Sequence, residues 1–109
     1  MKINKPLEKD IQATICEWLE LKRIFFWRAN TSPTIQKSGD KWHFRKMGKW
    51  AKKGIPDIIL IDGGEVKFIE VKRQGAKQSP EQLEFEKECK SHGITYVLAH
   101  TLEEAINGL

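Results

Sequence analysis

A chain of 109 residues is the length of one domain, which excludes a multidomain enzyme or a repeat array and places any active site near the surface of one modest core. Hydrophobic residues make up 39% and charged residues 31%, too apolar for a disordered tail, and no apolar run is long enough for a bilayer span. Nineteen Lys and Arg against 15 Asp and Glu give a formal charge of +4, which mildly favours a polyanionic partner.

In chain order, residues 5–22 read as a helix: Ile11, Ile15, Trp18 and Leu19 recur at helical spacing, Asn4 is available as a cap and Pro6 fits a first turn. The aromatic and β-branched run IFFWRA, residues 24–29, reads as a strand. Residues 30–54 are the least regular, with turns at Ser32-Pro33 and Ser38-Gly39-Asp40 that fit an irregular hairpin. PDIILI and VKFIEVK then flank Asp62-Gly63-Gly64-Glu65, a strong two-residue hairpin signal. Ser79-Pro80-Glu81-Gln82 supplies an N-cap, a proline at N1 and a Gln at N3 for a helix that should stop at Gly93. ITYVLA, residues 94–99, is a further strand, and Thr101-Leu102-Glu103-Glu104 is a second capping box opening a short helix that ends near Asn107-Gly108. The order predicts a single α/β domain over residues 1–109 with a mixed sheet. Cys16 and Cys89 have no CxxC spacing, and MKINKPLEKDIQ lacks the apolar core of a secretion signal, so reduced thiols and a cytoplasmic location are expected.

The hairpin permits a geometric test. With Gly63 and Gly64 as the turn, Ile61 faces Val66, Ile59 faces Phe68 and Asp57 faces Glu70. Alternation puts Asp57, Ile59 and Ile61 on one side with Val66, Phe68, Glu70 and Lys72. The other side, with Ile58, Leu60, Ile69 and Val71, is also apolar, so a strand pair covered on both faces is expected. Singly, Asp57 reads as an aspartate held by turn hydrogen bonds at the start of a strand, and Glu70 with Lys72 as a solvated pair. Jointly they read differently. Opposed carboxylates repel, Lys72 offsets one charge, and a divalent cation with hard oxygen ligands, Mg²⁺ or Mn²⁺, would neutralise the rest. Such a cation beside a basic loop can hold a phosphate oxygen and acidify a bound water, while Lys72 orients or helps deprotonate that water or stabilises charge on the phosphorane.

Pro56-Asp57 and Glu70-Val71-Lys72 resemble the PD-(D/E)xK nuclease signature. The form Lys53-Gly54-Ile55-Pro56-Asp57, followed by Glu70-Val71-Lys72 and the Ser79-Pro80-Glu81-Gln82 helix start, resembles the VRR-Nuc family of virus-type replication and repair nucleases, over nearly the whole chain. The resemblance implies a restriction-endonuclease-like fold, a mixed central sheet flanked by helices, and a stand-alone metal-dependent DNA endonuclease of the kind found in phages and bacteria. It implies Asp57, Glu70 and the Val71 backbone carbonyl as metal ligands, Lys72 as the catalytic lysine, and a glutamate from the first helix. Glu8 and Glu17 are the choices; Glu8 shares the face of Ile11, Ile15 and Leu19, whereas Glu17 lies roughly opposite. Gln82 matches a position that points toward the site, although it also has a structural role as the N3 capping residue. The resemblance further implies branched DNA, including four-way Holliday junctions, as substrate. Symmetric cutting of two strands by so small a domain calls for a homodimer.

Between residues 37 and 53 lie Lys37, Lys41, Arg45, Lys46, Lys49, Lys52 and Lys53 against Asp40 alone, interleaved with Trp42, His43, Phe44 and Trp50. Basic groups engage phosphates and aromatics stack on exposed bases, making this the expected DNA-binding element; the plainer reading is a solvated loop with Trp42 and Phe44 in the core. Arg28 is a further phosphate contact to consider. His43, His92 and His100 have no zinc spacing, and no Gly-rich phosphate loop supports a nucleotide cofactor. The competing functions are a noncatalytic DNA-binding module and a nuclease acting on RNA or DNA ends.

Overall fold

The computed structural model describes residues 5–29, 35–44 and 48–109. The first helix, α1, spans Glu8–Leu21 and buries Ile11, Ile15 and Leu19, one residue per turn along one stripe. It begins later than the sequence predicts. Leu7 holds the N-cap position without a side-chain bond, so Pro6 precedes the helix and the expected cap from Asn4, which lies outside the described residues, is not at the helix start. Glu8 and Asp10 in the first turn meet the positive end of the helix dipole instead.

Strand β1 is Phe25–Arg28; β2, Ile35–Ser38, and β3, Lys41–Phe44, form a separate antiparallel hairpin turning through Gly39, whose φ is 62°. Then come β4 (Ile58–Asp62), β5 (Glu65–Val71), helix α2 (Pro80–Ser91), β6 (Thr95–Ala99) and helix α3 (Leu102–Gly108). The main sheet runs β1-β4-β5-β6, with β1, β4 and β5 antiparallel and β5 parallel to β6, so the sheet is mixed as expected. Gly63 and Gly64 have φ of 60° and 82°, the left-handed values that a type I′ turn requires, and they lock Ile61 to Val66 and Ile59 to Phe68 in the predicted register.

One face of the sheet carries Ile58, Leu60, Ile69, Val71, Val97 and Ala99, closed by α1 and by Ala105 of α3. Each fully buried aliphatic side chain there contributes roughly 1.5–3 kcal/mol. The other face is only half covered. Phe85 of α2 meets Phe68 edge-on, with ring centroids 5.4 Å apart, while Phe25, Trp27, Ile61 and Val66 stay exposed. The expected covering of both faces of the β4–β5 pair is therefore corrected at its turn end, where Ile61 and Val66 are exposed.

Both later helices start as their sequences dictate. Ser79 and Gln82 form a complete capping box, and Gly93, at φ 70°, follows the end of α2. Thr101 accepts from the Glu104 amide at 3.1 Å, but the Glu104 carboxylate turns to the His100 amide and Nδ1 rather than to the cap residue, leaving half of the second expected box. Among the described residues no helix is long and apolar enough to cross a membrane.

Candidate active site

The β4–β5 ladder stops at Ile58 and Ile69, so Asp57 and Glu70 are not the laddered pair the register predicts. The cause is local. Asp57 gives its carbonyl to the Ala29 amide at 2.9 Å and sends its carboxylate across to the Val71 amide, which donates to Oδ2 at 2.8 Å. Val71, the last residue of β5, lies two residues beyond Ile69, the last residue paired with β4, and the Asp57 side chain supplies the acceptor that the missing strand would have supplied. In a strand the N–H and C=O of one residue point the same way, so the Val71 carbonyl also faces Asp57.

Glu70 remains beside Asp57 and is 1% exposed. Gln82 Nε2 donates to its Oε1 at 3.0 Å, while Oε2 is buried and has no hydrogen-bond partner. Burial, then the Asp57 charge and a hydrogen bond that protonated Glu70 can donate to Asp57, push the Glu70 carboxyl up to about 8, against a smaller opposing pull from Lys72. The Glu8 charge also raises it, which places Glu8 within electrostatic reach of the acidic pair. Glu17 is exposed elsewhere on α1, in a hollow with Glu20, Leu21 and Arg23. Lys72 follows β5 directly, its amide held by the Ala99 carbonyl at 3.0 Å.

Gln82 bonds in two directions. Its Oε1 accepts from the Ser79 amide at 2.8 Å, completing the cap, and its Nε2 faces Glu70. Gly54 fixes this helix end to the loop before Asp57: its φ is 74°, and a Cβ there would lie 2.3 Å from the Glu81 carbonyl oxygen. The sequence shows the glycine and its place in the motif but not this close approach, which depends on where α2 lands. Tyr96, next to Phe68 across the parallel β5–β6 pair, is likewise missed; its hydroxyl accepts from Gln78 Nε2 at 3.2 Å, and burial followed by the Glu70 charge raises its pKa.

The basic element divides. Lys52 and Lys53 are exposed and line a groove with Phe68 and Phe85; Lys41 is exposed at the start of β3; the Lys49 ammonium lies 5.0 Å from the ring of Trp50, which is 84% exposed. Lys37 and Trp42 are cross-strand neighbours on the β2–β3 hairpin, but their side chains, and all of Arg45 and Lys46, lie outside the described residues. Arg28 pairs with Ile58 on the α1 side of the sheet, where its charge acts on Cys16, and so does not share the face of the acidic pair. Cys16 and Cys89 are free thiols whose pKa values burial raises; His100 Nδ1 lies 3.0 Å from the Glu104 carboxylate, and His92 Nε2 is 3.6 Å from that of Glu88.

Among the described residues no three His, Cys, Asp or Glu side chains form a cluster that could hold a metal ion. The donors gathered here are two carboxylates and a backbone carbonyl, a hard-oxygen set with one oxygen unsatisfied. A family model of the VRR-NUC domain matches residues 7–102. No curated protein matches the chain.

Proposed function

The chain belongs to the VRR-NUC family, whose domain is a nuclease acting on DNA, and from that premise we propose that it is a Mg²⁺- or Mn²⁺-dependent endonuclease selective for branched DNA such as Holliday junctions. The buried, unpartnered Glu70 Oε2 beside Asp57 carries the metal reading. Because an ionised oxygen without a donor is expensive to bury, Glu70 holds a proton up to about pH 8, and a divalent cation would take the place of that proton.

Asp57, Glu70 and the Val71 carbonyl would hold the metal, with waters and substrate oxygens completing the shell. When bound, the ion supplies Lewis acidity and lowers the pKa of a coordinated water. The protein's own groups do the positioning. The Val71 amide fixes the Asp57 carboxylate, Gln82 fixes one Glu70 oxygen and leaves the other free, and Glu8 adds negative charge at the rim. Hydrolysis forms a bond from water oxygen to phosphorus and breaks one ester P–O bond, passing the water proton away and returning one to the leaving oxygen. Lys72 orients that water or helps deprotonate it, and its ammonium stabilises charge on the phosphorane. Lys52 and Lys53, joined by Lys37, Lys41, Arg45, Lys46 and Lys49, hold the DNA backbone. The Asp57–Glu70 pair provides one such site in each chain, so paired cuts across a junction take two copies, a homodimer.

Labelled four-way junction, fork, linear duplex, single-stranded DNA and RNA, each incubated with Mg²⁺, Mn²⁺ or EDTA, test this. Metal-dependent internal cuts favouring branched DNA are expected. Cleavage undiminished in EDTA, or cutting only of RNA or of linear ends, would overturn it.

A further inference from the structure

Sheet pairing places three rows of side chains on the face that carries Glu70. The outermost is Phe25, Ile61 and Val66; the next is Trp27, Ile59, Phe68 and Tyr96; the last is Ala29, Asp57, Glu70 and Leu98. Successive rows are roughly 7 Å apart, two residues along a strand. The row beside the acidic pair therefore begins with an indole. Phe25 is 67% and Trp27 43% exposed, and their rings meet edge-on at 5.6 Å.

A strand of three consecutive aromatics is usually a core strand, so the exposure of Phe25 and Trp27 needs an occupant. A second copy of the chain is one possibility, but Phe25, Trp27, Ile61 and Val66 together expose on the order of a few hundred Å², well short of the ~800 Å² per partner in a standard interface. The place of these rings, in the row next to the acidic pair of a DNA-acting domain, favours a nucleic acid. The two outer rows carry no charged residue, and the groove beyond Phe68 is lined by Lys52 and Lys53 together with Glu81, Glu84 and Glu88. Unpaired bases offer flat apolar faces for the rings, and their phosphates offer charge for the lysines.

Resting on the nuclease reading, we propose that Trp27 and Phe25 form a stacking platform for unpaired bases next to the scissile phosphodiester. The substrate then has a single-stranded segment at the cut, as at a fork or an opened branch point. A fully paired duplex keeps its base faces stacked on one another and leaves the platform empty.

The test measures binding, not cleavage, in EDTA, so its failure leaves metal-dependent cutting intact and the converse also holds. Anisotropy of labelled oligothymidine and of a blunt duplex of equal length is compared for wild type, the Phe25→Ala/Trp27→Ala double variant, Trp27→Phe and Val66→Glu. The double variant should weaken oligothymidine binding roughly tenfold or more while duplex binding changes less than about twofold, and Trp27→Phe should retain most of the affinity. Val66→Glu, at an exposed hairpin position, places a carboxylate beside the platform without removing a ring; it should also weaken oligothymidine and decides the matter if the double variant is unfolded by circular dichroism. Equal losses on both ligands, or unchanged oligothymidine binding, would overturn the proposal. Loss of a dimer in light scattering with oligothymidine binding intact would also overturn it and assign the face to self-association.

Discussion

A carboxyl that ionises only near pH 8 in the fold, but near 4.5 when unfolded, makes the folded chain hold a proton that the unfolded chain has released. Between those values stability falls as pH rises, because the native state binds more protons. Glu70's contribution is thus complete below about pH 4.5 and gone above about pH 8, a loss of a few kcal/mol at about 1.4 kcal/mol per pKa unit. Glu70→Gln keeps the shape and removes the titration. Urea unfolding in EDTA across that range should show wild type losing stability relative to Glu70→Gln; parallel curves would contradict the assignment. Neither the depth of Glu70 nor the lone Oε2 was legible in the sequence, since both depend on α2 closing over the end of β5. The pairing of Asp57 with Glu70 was legible in part: the hairpin register put them together, but not the turn of Asp57 onto the Val71 amide.

At the scale of elements, the β4–β5 hairpin and α2 could be read because local rules determine them: two glycines at positive φ for one, a capping box for the other. The start of α1 and the second capping box depart from these local rules because Leu7 and His100 take parts that tertiary geometry assigns. The same distinction predicts how glycines respond to substitution. Gly54→Ala meets both a left-handed backbone and the Glu81 carbonyl, so it should cost more than the roughly 1–2 kcal/mol of backbone strain alone and lower cleavage by moving Gln82. Gly63→Ala meets open space and should cost only the backbone term, about 1–2 kcal/mol, without affecting cleavage. Ser79→Ala should remove about 1 kcal/mol through the lost cap. Thermal melts with parallel cleavage assays check all three; equal activity in Gly54→Ala and wild type would break the link between the glycine and the site.

For the whole molecule, the net charge of +4 conceals a division. Residues 37–53 carry seven positive and one negative side chain, +6, leaving −2 for the rest. Affinity for DNA should therefore fall steeply with salt. Lys52→Ala and Lys53→Ala should each lower the log–log salt slope by about 1, with similar effects on all DNA sequences. A slope unchanged in both variants would remove these lysines from the interface. The packing of helices against a mixed sheet followed from element order, whereas the exposure of β1 did not, because whether a helix covers a strand depends on where a distant segment docks.

Single-turnover cleavage of a branched DNA with Mg²⁺, comparing wild type with Lys72→Ala and with DNA binding measured alongside, reaches the chemistry most directly. Wild type should cut, and Lys72→Ala should be slower by about 10²-fold or more with affinity changed little. Equal rates in the two proteins, or no cutting by wild type with either Mg²⁺ or Mn²⁺, would contradict the assignment of Asp57, Glu70 and Lys72 as a nuclease centre.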